Sequence, residues 1–171
     1  VEAAVAPTVQ STSPPDGSSG IGAAVQPSLT FSEPLDPATV TSSAVQLLDG
    51  GGSPVAQAAG SPSLSGDGLT VTLIPASPLA LGSTYRLQAI GGAGGVTDLA
   101  GHALDSTFTQ ATGFSTEADS VPPVVSTVAS SGVTGTAAQV SWTTDEPADS
   151  QVFYRVLGQT DYQQTAIDPG L

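Results

Sequence analysis

The chain has 171 residues and a formal net charge of −13 at pH 7, with 15 acidic residues, two basic residues and no Cys. That charge argues against binding to nucleic acid or anionic lipid, because both partners need a basic surface. The absence of Cys excludes disulfides, cysteine-ligated zinc and thiol catalysis. No apolar run reaches the 18 residues or so of a membrane-spanning helix, so we expect no membrane insertion.

The first two thirds of the chain predict short β-strands. Apolar and polar residues alternate over residues 28–32, 70–73 and 85–89. This period of two is typical of strands with one buried face. Turns rich in Gly, Pro and Asp separate these stretches, which favours a β-sandwich. Only residues 37–40 favour a helical turn, with Asp36 as N-cap and Pro37 at the first helical position.

The alternating positions also predict which side chains form the core of the first domain. Tyr85 follows the sequence Leu79-Ala80-Leu81-Gly82 at the spacing of a tyrosine corner, so we expect a buried ring whose hydroxyl bonds to the backbone. Arg86 and Arg155 alternate with apolar neighbours, so we expect both on solvent faces, paired with an acid. The predicted core contains Leu29, Phe31, Val45, Leu47, Val71, Leu73, Tyr85, Leu87, Phe108 and Phe114.

A change in composition near residues 117–123 predicts a domain boundary. The segment is polar and then rigid, because Pro122 and Pro123 fix φ and favour an extended spacer. Alternation restarts after it, with Val140 and Trp142 on one strand face and with Val152, Tyr154 and Val156 on the next. We divide the chain into an N-terminal arm or linker (1–6), a first domain (7–116), a Pro-rich linker (117–123) and a second domain (124–171).

Residues 7–116 resemble a bacterial Ig-like domain of the kind found in surface-layer proteins and large secreted bacterial proteins. Five motifs in the family's order, followed by a closing strand, carry this resemblance. The family usually has Asn where His102 stands. The resemblance implies a complete Ig-like β-sandwich. The motifs and closing strand are residues 11–17, 30–40, 65–73, 78–85, 96–104 and 114–116.

Residues 124–171 resemble the first half of a fibronectin type III domain, with residues 140–152 matching its second strand, following loop and third strand. A complete domain needs roughly 90–100 residues, so the later strands are missing. A half sandwich cannot cover Val140, Trp142, Val152 and Tyr154, and it leaves strand edges unpaired. We therefore expect all-β architecture, an Ig-like β-sandwich followed by a partial fibronectin type III-like one. Further residues of the polypeptide or another chain would supply strands.

The two resemblances imply a non-enzymatic structural or spacer segment of a secreted or cell-surface bacterial protein. Its partners would be neighbouring domains of the same polypeptide or other copies of the chain. Three alternatives stay open: a self-assembling filament or surface-layer subunit completed by strand exchange, an adhesin or carbohydrate-binding module, and an accessory segment of a secreted hydrolase. In the first alternative, residues 1–9 are a conceivable donor strand.

Few residues offer catalytic chemistry. His102 is the only imidazole, and no Gly-x-Ser-x-Gly elbow accompanies it. The carboxylate pairs Glu33–Asp36 and Asp145–Glu146 each lie beside proline in a loop, where acids cap turns or face water. We therefore predict no catalytic residues.

Calcium is the one cofactor with sequence candidates, because it prefers several carboxylate and carbonyl oxygens. The weak candidates are Asp98, Asp105, Glu117 and Asp119. No Asp-x-Asp-x-Asp-Gly loop supports them, so solvated acids are the simpler interpretation and we expect no other cofactor.

Overall fold

The structure is a computed structural model, and it describes residues 5–169. Residues 1–4 of the predicted donor strand 1–9 lie outside the described residues, as do residues 170–171. The backbone divides into two compact units, Val1–Asp119 and Ser120–Leu171. Within the described residues, no helix is long and apolar enough to cross a membrane.

The first unit is a sandwich of two antiparallel sheets. One sheet has the order β1-β2-β5-β4, and the other has the order β3-β6-β7 with β8 also paired to β6. The first unit is therefore the all-β sandwich that the strand periodicity predicted and that the resemblance to the bacterial Ig-like domain implied. Its strands are β1 (Val9–Ser13), β2 (Ser28–Phe31), β3 (Val45–Leu48), β4 (Ser63–Leu64), β5 (Thr70–Thr72), β6 (Thr84–Ala89), β7 (Phe108–Thr109) and β8 (Phe114–Ser115).

The core lies between these sheets and takes alternate residues from the central strands. Strand β2 buries Leu29 and Phe31, and strand β6 buries Tyr85, Leu87 and Ala89. Nine of the ten predicted core residues are buried, while Phe108, on the two-residue strand β7, is only partly buried against the cluster. Loop residues without alternation complete the core, and the prediction missed them: Leu35, Leu79, Val96 and Leu104.

A single turn of 3₁₀ helix, Pro37–Thr39, confirms the predicted helical turn. Asp36 caps it, because its Oδ1 accepts the backbone N–H of Ala38 at 2.9 Å. The backbone N–H of Asp36 donates to the carbonyl oxygen of Thr97 at 2.9 Å. This bond ties the turn to the loop that contains His102.

The second unit contains two antiparallel strand pairs. Strand β9 (Val125–Ser131) pairs with β10 (Gln139–Thr144), and β11 (Phe153–Tyr154) pairs with β12 (Gln163–Gln164). Of the strand predicted over residues 152–156, only Phe153 and Tyr154 belong to β11, although the carbonyl of Val152 also accepts the N–H of Thr165 at 3.0 Å. A register shift interrupts the β9–β10 ladder between Ser141 and Thr143, opposite Thr127, whose φ is 50°.

Candidate functional site

The only imidazole of the chain lies in a tight loop against a buried carboxylate. His102 Nδ1 is 2.7 Å from Asp98 Oδ2. The other oxygen of Asp98 accepts the backbone N–H groups of Ala100 and His102, each at 2.8 Å. The geometry is that of a loop folded around its own aspartate, which accounts for the acid at this position.

Burial and hydrogen bonding act in opposite directions on Asp98. Burial raises the pKa of this carboxyl, but the bonds from the His102 side chain and from the backbone of His102 and Ala100 together hold the pKa below its usual value. The carboxylate is therefore ionised at neutral pH, with both oxygens engaged. It is unsuited to the role of general base, because its proton-accepting positions already serve the loop.

The four calcium candidates form no cluster. Asp98 uses both oxygens as hydrogen-bond acceptors. Asp105 is exposed in the same loop, and Glu117 and Asp119 are exposed near the end of the first unit. Across residues 5–169, no group of three or more His, Asp or Glu side chains could hold one metal ion. A calcium ion at Asp98 would compete with the hydrogen bonds that shape the loop.

Both carboxylate pairs considered for glycoside hydrolysis contain an acid with a structural bond. Asp36 caps the 3₁₀ turn. Asp145 Oδ1 accepts the backbone N–H of Val124 at 2.7 Å, which fastens the start of β9 to the end of β10. Neither acid needs a substrate to explain its position.

Two buried polar residues that the sequence analysis missed link distant parts of the first unit. Gln110 Nε2 donates to Thr12 Oγ1 at 2.8 Å and to the carbonyl of Pro14 at 3.0 Å, while its Oε1 accepts the N–H of Leu87 at 2.9 Å. Its side chain thus joins β1 of one sheet to β6 of the other. Thr116 Oγ1 similarly accepts from the N–H of Ser83 at 3.0 Å.

Tyr85 has the role predicted for it. Its ring is buried and lies 6.0 Å from that of Phe114, centroid to centroid. Its hydroxyl oxygen accepts the backbone N–H of Ala80 at 3.0 Å. The polar end of the ring thus satisfies a backbone group five residues upstream.

The second unit has an exposed apolar face on the β9–β10 pair. Val140 lies opposite Ser130 and Thr144 lies opposite Val125, and residues directly opposite share a face. The bulge at Thr127 changes the phase of β9, so Val125 and Val128 lie on the same face as Val140. These three valines are 55%, 66% and 39% exposed, and Trp142 between them is only half-buried.

Aromatic residues outside this pair are exposed too. Phe153 and Tyr154 of β11 lie at the surface of the unit. The Arg155 guanidinium carbon is 5.1 Å from the centroid of the Tyr162 ring, a cation–π contact that holds the arginine against the surface. Arg86, in the first unit, is exposed on β6 as predicted.

Two open depressions mark the first unit. The larger, about 400 Å³, is lined by Ala6, Gly92, His102, Ala103, Leu104 and Asp105. The other, about 220 Å³, is lined mainly by alanine and proline. Neither contains a nucleophile, a base and an oxyanion-binding group in one place, which acyl-transfer chemistry requires.

The two layers, the buried tyrosine hydroxyl and the alternating core define the first unit as an Ig-like β-sandwich. The family model of the bacterial Ig-like domain matches residues 3–116. The chain belongs to this family. No curated protein matches the chain.

Three solved structures of the S-layer protein SbsC are similar to the chain. The structure of its domains 1–6 has a TM-score of 0.50 and 22% identity over 92% of this chain and 22% of its own length. The N-terminal part has a TM-score of 0.48 and 20% identity over 94% of this chain and 38% of its own. The third, rSbsC(31-844), has a TM-score of 0.48 and 22% identity over 92% and 22% of the two chains. The chain therefore spans well under half of each.

Proposed function

We propose that the chain is a non-enzymatic structural segment of a secreted or cell-surface bacterial protein, with the Ig-like sandwich as a rigid spacer. One observation carries the proposal. In the described residues, every buried side-chain nitrogen and oxygen has a hydrogen-bond partner. The buried polar groups that could serve chemistry, above all Asp98, Gln110 and Thr116, are engaged in holding loops and sheets together.

Three further observations support a location outside the cell. The chain belongs to the bacterial Ig-like family, and its fold resembles domains 1–6 of SbsC, a surface layer protein. Its low content of charged residues, 10%, leaves a surface of Ser, Thr, Gln, Ala and Gly that suits an extracellular setting.

Labelling of intact cells tests this location. An antibody raised against the chain should stain unpermeabilised cells of the source bacterium, or should detect the protein in culture medium. Permeabilised cells and a cytoplasmic marker are the controls. Signal that appears only after permeabilisation would contradict the proposal.

The exposed face of Val125, Val128, Val140 and Trp142 supports a second element of the proposal, an interaction with neighbouring domains of the same polypeptide or with other copies of the chain. A neighbouring domain is favoured, because each copy carries a net charge of −13 and copies repel at low salt. Filament or surface-layer assembly by strand exchange is the alternative.

Sedimentation velocity distinguishes these two partners. We expect a monomer across a wide concentration range at low and at moderate salt. Growth into large species, abolished when residues 1–9 are deleted, would favour self-assembly over docking of a neighbouring domain. An adhesin or carbohydrate-binding module would instead bind a glycan array, on which we expect no signal.

We propose that the fold needs no cofactor. The melting temperature should be the same in calcium and in EDTA, since Asp98 already uses both oxygens in protein hydrogen bonds. An increase with calcium that Asp98→Asn abolishes would contradict this proposal. Hydrolase activity of the chain itself would contradict the non-enzymatic role, whereas an active site elsewhere in a longer polypeptide would leave this segment as an accessory.

A further inference from the structure

Two segments near the ends of the first unit run side by side in the same direction. Residues 17–21 lie along residues 113–117, and Ile21 and Thr116 form a parallel bridge. The strand pairs of both sheets are antiparallel, so this contact differs from them. Four backbone bonds join the segments, here called the terminal ladder: Gly17 N–H to Gly113 O (2.5 Å), Ser115 N–H to Ser18 O (2.9 Å), Ile21 N–H to Ser115 O (3.1 Å) and Glu117 N–H to Ile21 O (2.9 Å).

Side-chain bonds and close packing hold the ladder in place. Asp16 Oδ1 accepts the N–H groups of Thr112 at 3.0 Å and Gly113 at 2.6 Å, at the N-terminal end of the ladder. Gly113 has a φ of 84° and lies so close to the Tyr85 carbonyl that no Cβ fits. Strand β8, which belongs to the segment 113–117, also pairs with β6 on the side away from residues 17–21. The segment 113–117 is therefore held from two directions.

The direction of the two segments decides how tension acts on them. Tension from the N-terminal side reaches residues 17–21 at their N-terminal end, and tension from the C-terminal side reaches residues 113–117 at their C-terminal end. Because the segments are parallel, these forces slide one past the other. Hydrogen bonds of a parallel pair run between the two strands at a slant and at even spacing, so sliding one strand past the other loads all four bonds together.

We propose that the terminal ladder is the force-bearing element of the Ig-like sandwich. The proposal deepens the spacer role and rests on it for its biological purpose, although the mechanical property belongs to the isolated chain. Strand β1 precedes the ladder and pairs with β2. Under tension β1 detaches first and releases Val9–Ser13, while the ladder stays closed. The largest resistance to unfolding therefore comes afterwards, when the ladder itself is loaded.

Pulling one folded protein in two directions tests the proposal. The chain has no Cys, so introduced thiols are unique attachment points. In the full chain, Ser11→Cys with Ala118→Cys applies tension along the ladder. Ala24→Cys with Ala118→Cys applies tension at one end of both segments and separates the bonds one by one. All three positions are exposed.

We expect the first pair to rupture at a force several-fold higher than the second. The rupture should release roughly 100 residues, about 33–36 nm of extended chain. Equal rupture forces in the two directions would overturn the proposal, as would a stronger response in the second direction. None of the three attachment sites contributes a backbone bond to the ladder. Both cysteine pairs therefore pull on the same intact ladder, and a difference in rupture force reports the direction of the tension.

Loss of one ladder bond gives a second test. Glu117→Pro removes the N–H that bonds to Ile21, and it should lower the rupture force along the ladder by roughly a quarter, since one of four bonds is lost. Glu117→Ala keeps that N–H and should rupture like the unsubstituted chain. Ala76→Pro removes a bond of equal length, Ala76 N–H to Ala56 O at 2.9 Å, outside the ladder.

The comparison of the two proline variants decides between the ladder and overall stability. We expect Ala76→Pro to leave the rupture force along the ladder nearly unchanged. An equal loss from both proline variants would overturn the proposal. The labelling of intact cells tests the spacer role separately. A result against an extracellular location would reject that role, but it would not change the rupture forces of the isolated chain.

Discussion

The two units of the chain contain similar strands but differ in what covers their apolar side chains. Phe31 in β2 is 1% exposed, whereas Phe153 in β11 is 60% exposed. Both residues lie in antiparallel strand pairs. Pairing therefore satisfies the backbone in both units, but only a second sheet removes apolar surface from water, which supplies most of the stability.

Truncation of one phenylalanine in each unit measures this difference directly. Phe31→Ala should lower the free energy of unfolding by about 3–5 kcal/mol, because it leaves a cavity in a packed core. Phe153→Ala should change it by less than about 0.5 kcal/mol, as expected for an exposed site. Urea unfolding of the full chain, followed by far-UV circular dichroism, gives both values. Equal losses would mean that the second unit has a core of its own.

Two glycines with positive φ, one in each unit, show how the surroundings of the backbone change the stability lost on substitution with alanine. Gly113→Ala should destabilise the chain by at least about 2–4 kcal/mol, because about 1 kcal/mol of left-handed strain is added to about 1–3 kcal/mol of overpacking against the Tyr85 carbonyl. Gly132, in the second unit, has a φ of 60°, and the methyl group added by Gly132→Ala would meet open space. This substitution should cost only the strain, about 1 kcal/mol. Thermal unfolding of the two variants checks the ranking, which a similar loss in both would contradict.

Two glutamines, one in each unit, compare the stability lost when a buried or an exposed polar side chain is removed. Gln110→Leu should cost about 1–3 kcal/mol, because the Leu87 N–H and the Pro14 carbonyl lose their buried partner. Gln139→Leu, on the exposed strand β10, should stay within about 0.5 kcal/mol of the original. Chemical denaturation measures both. If Gln110→Leu is neutral, the link between the sheets does not contribute to stability.

The mildest expected effect is the acid dependence of the His102 loop. Hydrogen bonds hold the pKa of Asp98 below its usual value in the folded chain, so the ionised carboxylate stabilises the fold at neutral pH. This contribution is lost as the pH falls through the folded pKa. Asp98→Asn should lower the melting temperature near neutral pH, and the difference from the unsubstituted chain should shrink in strong acid. Asp105→Asn, an exposed acid in the same loop, is the control. A pH-independent difference for Asp98→Asn would refute the link to ionisation.

The fold was predictable because its signal is local. Alternation over a few residues predicted the buried faces of β2 and β6, and the spacing before Tyr85 predicted its hydroxyl bond. Phe108 was the exception: its strand β7 lies at the edge of its sheet, so the residue is only partly covered, and no local pattern shows which strand will be at an edge.

The polar links were not predictable, because their partners are far apart in sequence. Gln110 bonds to Thr12, 98 residues away, and Asp16 bonds to Gly113, 97 residues away. No pattern near Gln110 distinguishes it from a surface glutamine. The terminal ladder was missed for the same reason, since residues 17–21 do not alternate and become strand-like only beside residues 113–117.

The measurement that most directly tests the contrast between the units is native-state hydrogen exchange of the full chain at single-residue resolution. Amides of β2 and β6, such as those of Leu29 and Leu87, should exchange only through global unfolding of the sandwich. Amides of β9 and β10 should exchange orders of magnitude faster, because little apolar burial opposes their opening. Equal protection in the two units would contradict the view that only the Ig-like sandwich has a stable core.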